Sequence, residues 1–326
     1  MIQKDLEIPY RVLQLEAYLK RITESHPRYS DIRDEHSRRF AGYRGEQSLV
    51  YYLSLLPQKD YHIFHNLRLL DTSNKHFFEI DTLILTPSFT LIIDAKNYRG
   101  KLYFDDQFEQ LIQTYVDTEK AYPCPIAQAN RHELQLKRLL QANKFHLPSI
   151  ESLVIFTNPS CIISASPRHK QIHKVIRSTS FLSKIETFEK KHKNVIFDQK
   201  QLQKLAKFLL KKHTPHAENI LEQYENGYDY LRKGVGCPDC GALPMVRTER
   251  RWLCKSCGCS SKTAHLEAIR DYYLLVGKTI TNQQLREFLL LPSRVAAKNI
   301  LLSLRLDHNG GQKNRIYYLT CEKSQL

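Results

Sequence analysis

EIDTLILTPSFTLIIDAKNYRG, residues 79–100, reads as two apolar strands joined by a short turn at Thr86-Pro87-Ser88. Each strand brings one acid out of an apolar run, Asp81 from the first and Asp94 from the second. Lys96 follows Asp94 by two positions, so strand alternation sets both side chains on one face. Two carboxylates and an ammonium beside an apolar core are costly to bury unless something uses them. Such oxygens suit a hard divalent cation, and a neighbouring lysine can orient water or offset charge developing on a phosphate. A D-x-K triplet alone arises by chance in many chains. The weight rests on the three residues arriving together on adjacent antiparallel strands.

Working outward, Ala41-Gly42-Tyr43-Arg44-Gly45-Glu46 opens GEQSLVYYLSLLP, whose Leu49, Val50, Leu53 and Leu56 fall at helical spacing. The two glycines are read at the helix start, where a backbone can come close to another element. Glu46 then falls in the first turn, where a carboxylate also complements the helix dipole. Downstream, Pro125-Ile126-Ala127-Gln128 leads into ANRHELQLKRLLQ, a basic amphipathic helix with Gln128 in its first turn.

The order G-x-x-G-E, helix, E-I-D strand, I-I-D-A-K-N-Y-x-G and P-x-x-Q resembles the nuclease-related (NERD) domain. That domain is a branch of the PD-(D/E)xK restriction-endonuclease-like superfamily. The resemblance covers roughly residues 38–150, under half of the chain. It implies an α/β restriction-endonuclease-like core with a mixed central sheet flanked by helices. It also implies an endonuclease that hydrolyses DNA phosphodiester bonds with Mg²⁺ or Mn²⁺. By this resemblance Asp81, Asp94 and the carbonyl of Ala95 are metal ligands, and Lys96 is the catalytic lysine. Glu46 is similar to the family's helix acid, which binds a second ion or a metal-bound water, and Gln128 to the helix glutamine that completes the site. Relatives often carry Glu where this chain has Asp94, which shortens the reach toward a metal.

Composition agrees with a polyanionic partner. Lys and Arg number 49 against 34 Asp and Glu, a net charge of +15, which favours DNA and predicts salt-dependent binding. The 326 residues allow two or three domains, and 42% hydrophobic content supports a core. The first residues, MIQKDLEIPYRVLQLEAYLKRI, scatter charge where a signal peptide is apolar, and no run has transmembrane length. A cytoplasmic, reducing setting is expected.

Cys237-Pro-Asp-Cys240 and Cys254-Lys-Ser-Cys257 stand thirteen residues apart, the spacing of a four-cysteine zinc ribbon with a structural Zn²⁺. Gly241 and Gly258 follow the two knuckles where the chain turns under the metal. A redox pair or a disulfide is the competing reading, and a reducing compartment disfavours the latter. Cys259 is a spare thiol, while Cys124, Cys161 and Cys321 lack ligand spacing and read as packing residues. Arg247, Arg250 and Arg251, with Trp252, make the hairpin a candidate phosphate-contacting surface. His62, His65, His132, His173 and His265 show no metal spacing.

Beyond the ribbon, residues 267–276 read as a helix, Thr281 caps a second, Ser293 a third, and a Gly310-Gly311 turn closes a β-pair. This pattern looks like a helix-turn-helix with a wing. It would set Arg294, Lys298 and Asn299 toward a DNA groove and Lys313 and Arg315 on the wing. A small helical cap packed on the ribbon is the alternative. The expected plan is a helical lead-in (1–37), a nuclease-like domain (38–212), a linker (213–235), the ribbon (236–264) and the tail (265–326). Two functional readings follow: a DNA nuclease targeted by its C-terminal modules, able to act as a homodimer, or a non-catalytic DNA-binding adaptor on a nuclease fold. No RNA-binding module pattern appears.

Overall fold

A computed structural model describes residues 1–57, 59–146, 149–216, 219–224, 228–311 and 314–320. The chain divides into two compact units, Met1–Ile8 with Arg38–Pro215 and Pro9–Ser37 with His216–Leu326. At the N-terminus lie β1 (Ile2–Lys4), α1 (Tyr10–Arg21) and the long α2 (Tyr29–Ser54). The boundary between the units falls within α2.

In the first unit, β2 (His62–Leu70), β3 (Phe77–Leu85) and β4 (Phe89–Lys96) form an antiparallel meander. Thr86 locks the β3–β4 turn: its Oγ1 donates to the Phe89 carbonyl at 2.8 Å and accepts the Ser88 and Phe89 N–H groups. The chain then builds β5 (Gly100–Asp105), β6 (Gln110–Tyr115), β7 (Thr118–Pro123) and α3 (Pro125–Ala142). β8 (Ser149–Phe156), β9 (Cys161–Ala165), β10 (Val175–Arg177), α4 (Phe181–Lys191) and α5 (Gln199–Lys212) follow. The central sheet has the order β1-β2-β3-β4-β8-β10 and is mixed, because β1, β8 and β10 pair parallel to their neighbours.

Helices cover both of its faces. Leu136, Leu139 and Leu140 of α3 and Leu202, Leu205 and Leu209 of α5 pack with Phe64, Ile80 and Ile92. Leu49 and Leu53 of α2 and Phe181, Ile185 and Phe188 of α4 pack with Ile63, Ile84 and Ile93. The first unit is therefore a mixed α/β layer structure. A second sheet, β7-β6-β5-β9, adds an unexpected element.

Among its described residues the second unit builds a core that joins Leu15 and Tyr18 of α1 to Ile32, Trp252, Ile269, Phe288 and Tyr317. Its elements are α6 (Ile220–Gln223), β11 (Val246–Thr248), β12 (Arg251–Leu253), β13 (Ser260–Ser261) and α7 (Ala264–Leu275), then β14 (Thr279–Thr281), α8 (Asn282–Leu289), α9 (Arg294–Ser303), β15 (His308–Asn309) and β16 (Ile316–Tyr318). Residues 9–37 belong to this unit, and Ile220, Leu221, Leu231 and Val235, from the stretch read as linker, lie in its core. Thr281 caps α8 in a reciprocal box with Gln284, and the Ser293 hydroxyl accepts the Ala296 N–H at the start of α9. β14 and β15 flank β16 in a three-stranded sheet. Among the described residues no helix is long and apolar enough to cross a membrane.

Candidate active site and cysteine cluster

The last β3–β4 bridge joins Thr82 to Ile93, so Asp81 and Asp94 are the next pair in register. Here the ladder opens: the Asp81 Oδ2 accepts the Ala95 N–H at 2.8 Å. Asp94 is 3% exposed, and its Oδ1 accepts from Lys96 Nζ at 2.8 Å. The same ammonium donates to Gln128 Oε1 at 3.2 Å, which ties the first turn of α3 to the end of β4. Strand alternation thus brings Asp94 and Lys96 together, and α3 brings Gln128.

Glu46 arrives differently from expectation. α2 starts at Tyr29, so Glu46 lies well inside a long helix and not in its first turn. Glycine weakens helices and invites reading a start at Gly45, but the upstream residues continue the helix and Gly45 serves contact. A Cβ there would stand 2.9 Å from both Asn97 Cβ and Thr157 Oγ1. Asn97 Nδ2 also donates to the Ala41 carbonyl, and Asn158 Nδ2 to Asn97 Oδ1. This close seam presses α2 onto the ends of β4 and β8.

The electrostatics are those of crowded acids. Burial first, then Asp94 and Glu46, raise the Asp81 carboxyl well above its ordinary range. Burial, with Glu79 and Asp94 adding to it, raises Glu46 to about 7 despite a hydrogen bond from Asn66. For Lys96, burial alone would lower the ammonium, but Asp94 and Asp81 outweigh it and the net shift is upward. Asp94 Oδ2 and Glu46 Oε2 are buried with no hydrogen-bond partner. Acceptor oxygens left so are costly, and their lone pairs are not taken up by any protein donor among the described residues.

Asn66 is the residue that the sequence reading missed. It sits mid-strand in β2 with φ +49°, and the β2–β3 ladder skips its pairing with Asp81 between His65↔Thr82 and Leu67↔Ile80. Both strands change phase at this point: Phe64 shares a core face with Leu67 and Leu69, and Phe78 and Ile80 share it with Leu83 and Leu85. Left-handed backbone in a strand interior is strained and occurs chiefly where a site needs it.

In the second unit the four thiols of Cys237, Cys240, Cys254 and Cys257 lie within 4.8 Å of one another. Among the described residues this is the group of three or more ligand side chains drawn so close, and it could hold a metal ion. The Cys237–Cys257 and Cys240–Cys254 sulfurs are 3.6 Å apart. A tetrahedral Zn–S₄ centre has edges of about 3.8 Å. The backbone N–H of Cys257, then that of Ser256, pull the Cys254 thiol down to about 6. Gly241 and Gly258 take φ of +71° and +75°, as the tight turns require.

Trp252, expected to add to the hairpin surface, is 1% exposed and donates its Nε1–H to His265 Nδ1 at 3.2 Å. Arg250 is exposed; Arg251 bonds Ser260; half-buried Arg247 stacks 5.0 Å from the Trp252 ring centroid. Arg294, Lys298 and Asn299 are exposed on α9, and Arg315 is half-buried before β16. Lys313 and Cys321 lie outside the described residues.

An uncharacterized protein of Bacillus anthracis is 23% identical over 154 residues, 47% of this chain and 70% of that protein. No solved structure matches the chain. Residues 41–157, which carry Glu46, Asn66, Asp81, Asp94, Lys96 and Gln128, match the family model of the nuclease-related domain, NERD.

Proposed function

We propose that the first unit is a Mg²⁺- or Mn²⁺-dependent DNA nuclease with a PD-(D/E)xK-type site. The carrying observation is the buried Asp94–Lys96 contact beside Asp81, with Asp94 Oδ2 and Glu46 Oε2 lacking partners. All-oxygen donors on acids crowded close together fit a hard divalent ion, which would offset their repulsion. Asp81, Asp94 and the Ala95 carbonyl would hold it, with Glu46 as a further carboxylate. The ion, when bound, supplies Lewis-acid polarisation of a phosphoryl oxygen and acidifies water. Lys96, fixed by Asp94 and Gln128, presents a cation where charge builds on the phosphate. Gln128 orients that ammonium, and the Gly45–Asn97 seam holds Glu46 against the strand ends.

The cysteine cluster is proposed as a structural zinc ribbon, which a cytoplasmic, reducing setting would keep as thiolates. The tail is proposed as a helix-turn-helix with a wing. Exposed Arg250, Arg294, Lys298 and Asn299, joined by Arg247, Arg251, Lys313 and Arg315, would contact DNA. Cutting both strands with one site per chain would use a homodimer.

The test is cleavage of supercoiled plasmid with Mg²⁺ or Mn²⁺, comparing wild type with Asp94→Ala. Nicking or linearisation lost by about 100-fold or more in the variant, with DNA binding kept, supports the reading. Wild-type protein that binds DNA but never cuts it would replace this reading with the adaptor.

A further inference from the structure

α5 has fourteen residues, five of them lysine and none acidic. Lys200, Lys204, Lys207 and Lys211 recur at i, i+4, i+7 and i+11, so they fall in one narrow stripe. All four are exposed, while Leu202, Leu205, Ala206 and Leu209 occupy the opposite, buried face. Among the described residues no ion pair engages them, whereas Lys20, Lys96, Lys174 and Lys191 each sit on a carboxylate.

The stripe repels itself along the helix, because its like charges stand three and four residues apart. Lys200 sits in the first turn, where the dipole disfavours a cation, while Lys211 in the last turn complements it. A stripe chosen only for solubility would alternate with acids. This one keeps a single sign along about 16 Å of helix. That length faces about five phosphates on each strand of a B-form duplex.

We infer that the lysine stripe of α5 is a backbone-binding track for DNA, remote from the cutting residues. It rests on the nuclease reading for its substrate. α5 lies on the same sheet face as α3, and their C-terminal ends adjoin through Phe145 and Phe208, whose ring centroids are 4.8 Å apart. Gln128 is at the other end of α3, about 20 Å of helix away. The stripe therefore positions DNA and takes no part in bond breaking.

The test compares wild type, a fourfold Lys→Gln variant at 200, 204, 207 and 211, and a control with Lys190→Gln and Lys193→Gln. Binding to a fluorescent DNA duplex is measured across salt, without Mg²⁺ or Mn²⁺. Glutamine keeps helix propensity and removes repulsion, so the melting temperature of the fourfold variant holds or rises. Affinity should weaken about tenfold or more near 0.1 M salt, and the log–log salt slope should shrink by about 3 to 4. The control should keep both. An unchanged slope and affinity would overturn the inference, as would wild type that does not bind DNA. Loss of binding to phosphatidylserine vesicles with DNA binding intact would assign the stripe to a membrane instead. Because no cleavage is read, a shrunken slope in a protein that never cuts would sustain the track while the nuclease reading fails.

Discussion

Replacing Gly45 by alanine tests whether the α2–β4 seam, and not helix termination, explains the glycines of residues 41–46. In a helix interior, alanine is favoured over glycine by about 1 kcal/mol. Gly42 offers the reference: a Cβ there meets nothing within 4 Å, so Gly42→Ala should keep most of that gain, about 0.5–1 kcal/mol. At Gly45 the Cβ would meet Asn97 Cβ and Thr157 Oγ1 at 2.9 Å. Asn97 Cβ is fixed by its own backbone and cannot swing aside, so α2 must move. Overpacking of this kind costs about 1–3 kcal/mol, which leaves Gly45→Ala between neutral and about 2 kcal/mol destabilised. Urea unfolding of both variants reads the difference, expected at about 1–3 kcal/mol. Metal-dependent cleavage should fall in Gly45→Ala, because Glu46 shifts with the helix, and hold in Gly42→Ala. Equal stabilisation by both alanines would refute the reasoning.

Three further outcomes are expected. Trp252 is the chain's one tryptophan and lies buried in the core that contains Cys237 and Cys254, so a thiol-competing chelator should red-shift its emission; an unmoved spectrum after confirmed metal loss would remove the structural role. Burial, with Arg247 adding to it, holds the His265 imidazole down to about 4, so it stays neutral when folded while the unfolded chain takes a proton below about 6.5. Stability should then be lost as pH falls from 6.5 toward 4, by up to about 3 kcal/mol, and His265→Asn should flatten that slope in urea titrations followed by Trp252. Asn66→Gly should relieve the left-handed backbone and stabilise the unit by about 1 kcal/mol, yet weaken Mn²⁺ affinity because Glu46 loses its amide partner; affinity equal to wild type would make Asn66 merely structural.

Much of the candidate site's geometry was legible because its signals are local. Asp94 and Lys96 share a face by strand alternation, and the two cysteine knuckles announce themselves by spacing. α8 and α9 follow from apolar periodicity and from caps at Thr281 and Ser293. The β5–β6–β7 ribbon was not legible, because its turns break the usual vocabulary. Glu109 and Val116 carry φ of +48° and +45°, positions where sequence reading looks for glycine, asparagine or aspartate. Trp252 was misplaced for a related reason. Arginines beside it suggested a surface, but alternation along a three-residue strand turns Arg251 and Leu253 outward and Trp252 into the core.

Asn66 shows how a residue beside the candidate site, missed in the sequence, still leaves a trace there. A strand packed on one face repeats its apolar residues every second position. In β2 the shared-face residues run Phe64, Leu67, Leu69, and in β3 they run Phe78, Ile80, Leu83, Leu85. Each strand contains one spacing of three, and the polar residues inside those gaps, His65-Asn66 and Asp81-Thr82, lie opposite each other in the register, Asn66 facing Asp81. One phase slip is ordinary and marks a bulge. Two slips that coincide across a ladder keep the register intact while turning both strands, which costs a left-handed residue in β2. Regular pleating would have kept the Asn66–Asp81 bridge closed. The slip instead frees Asp81 to bond the Ala95 N–H and Asn66 to bond Glu46, so the strain lies where the acids converge.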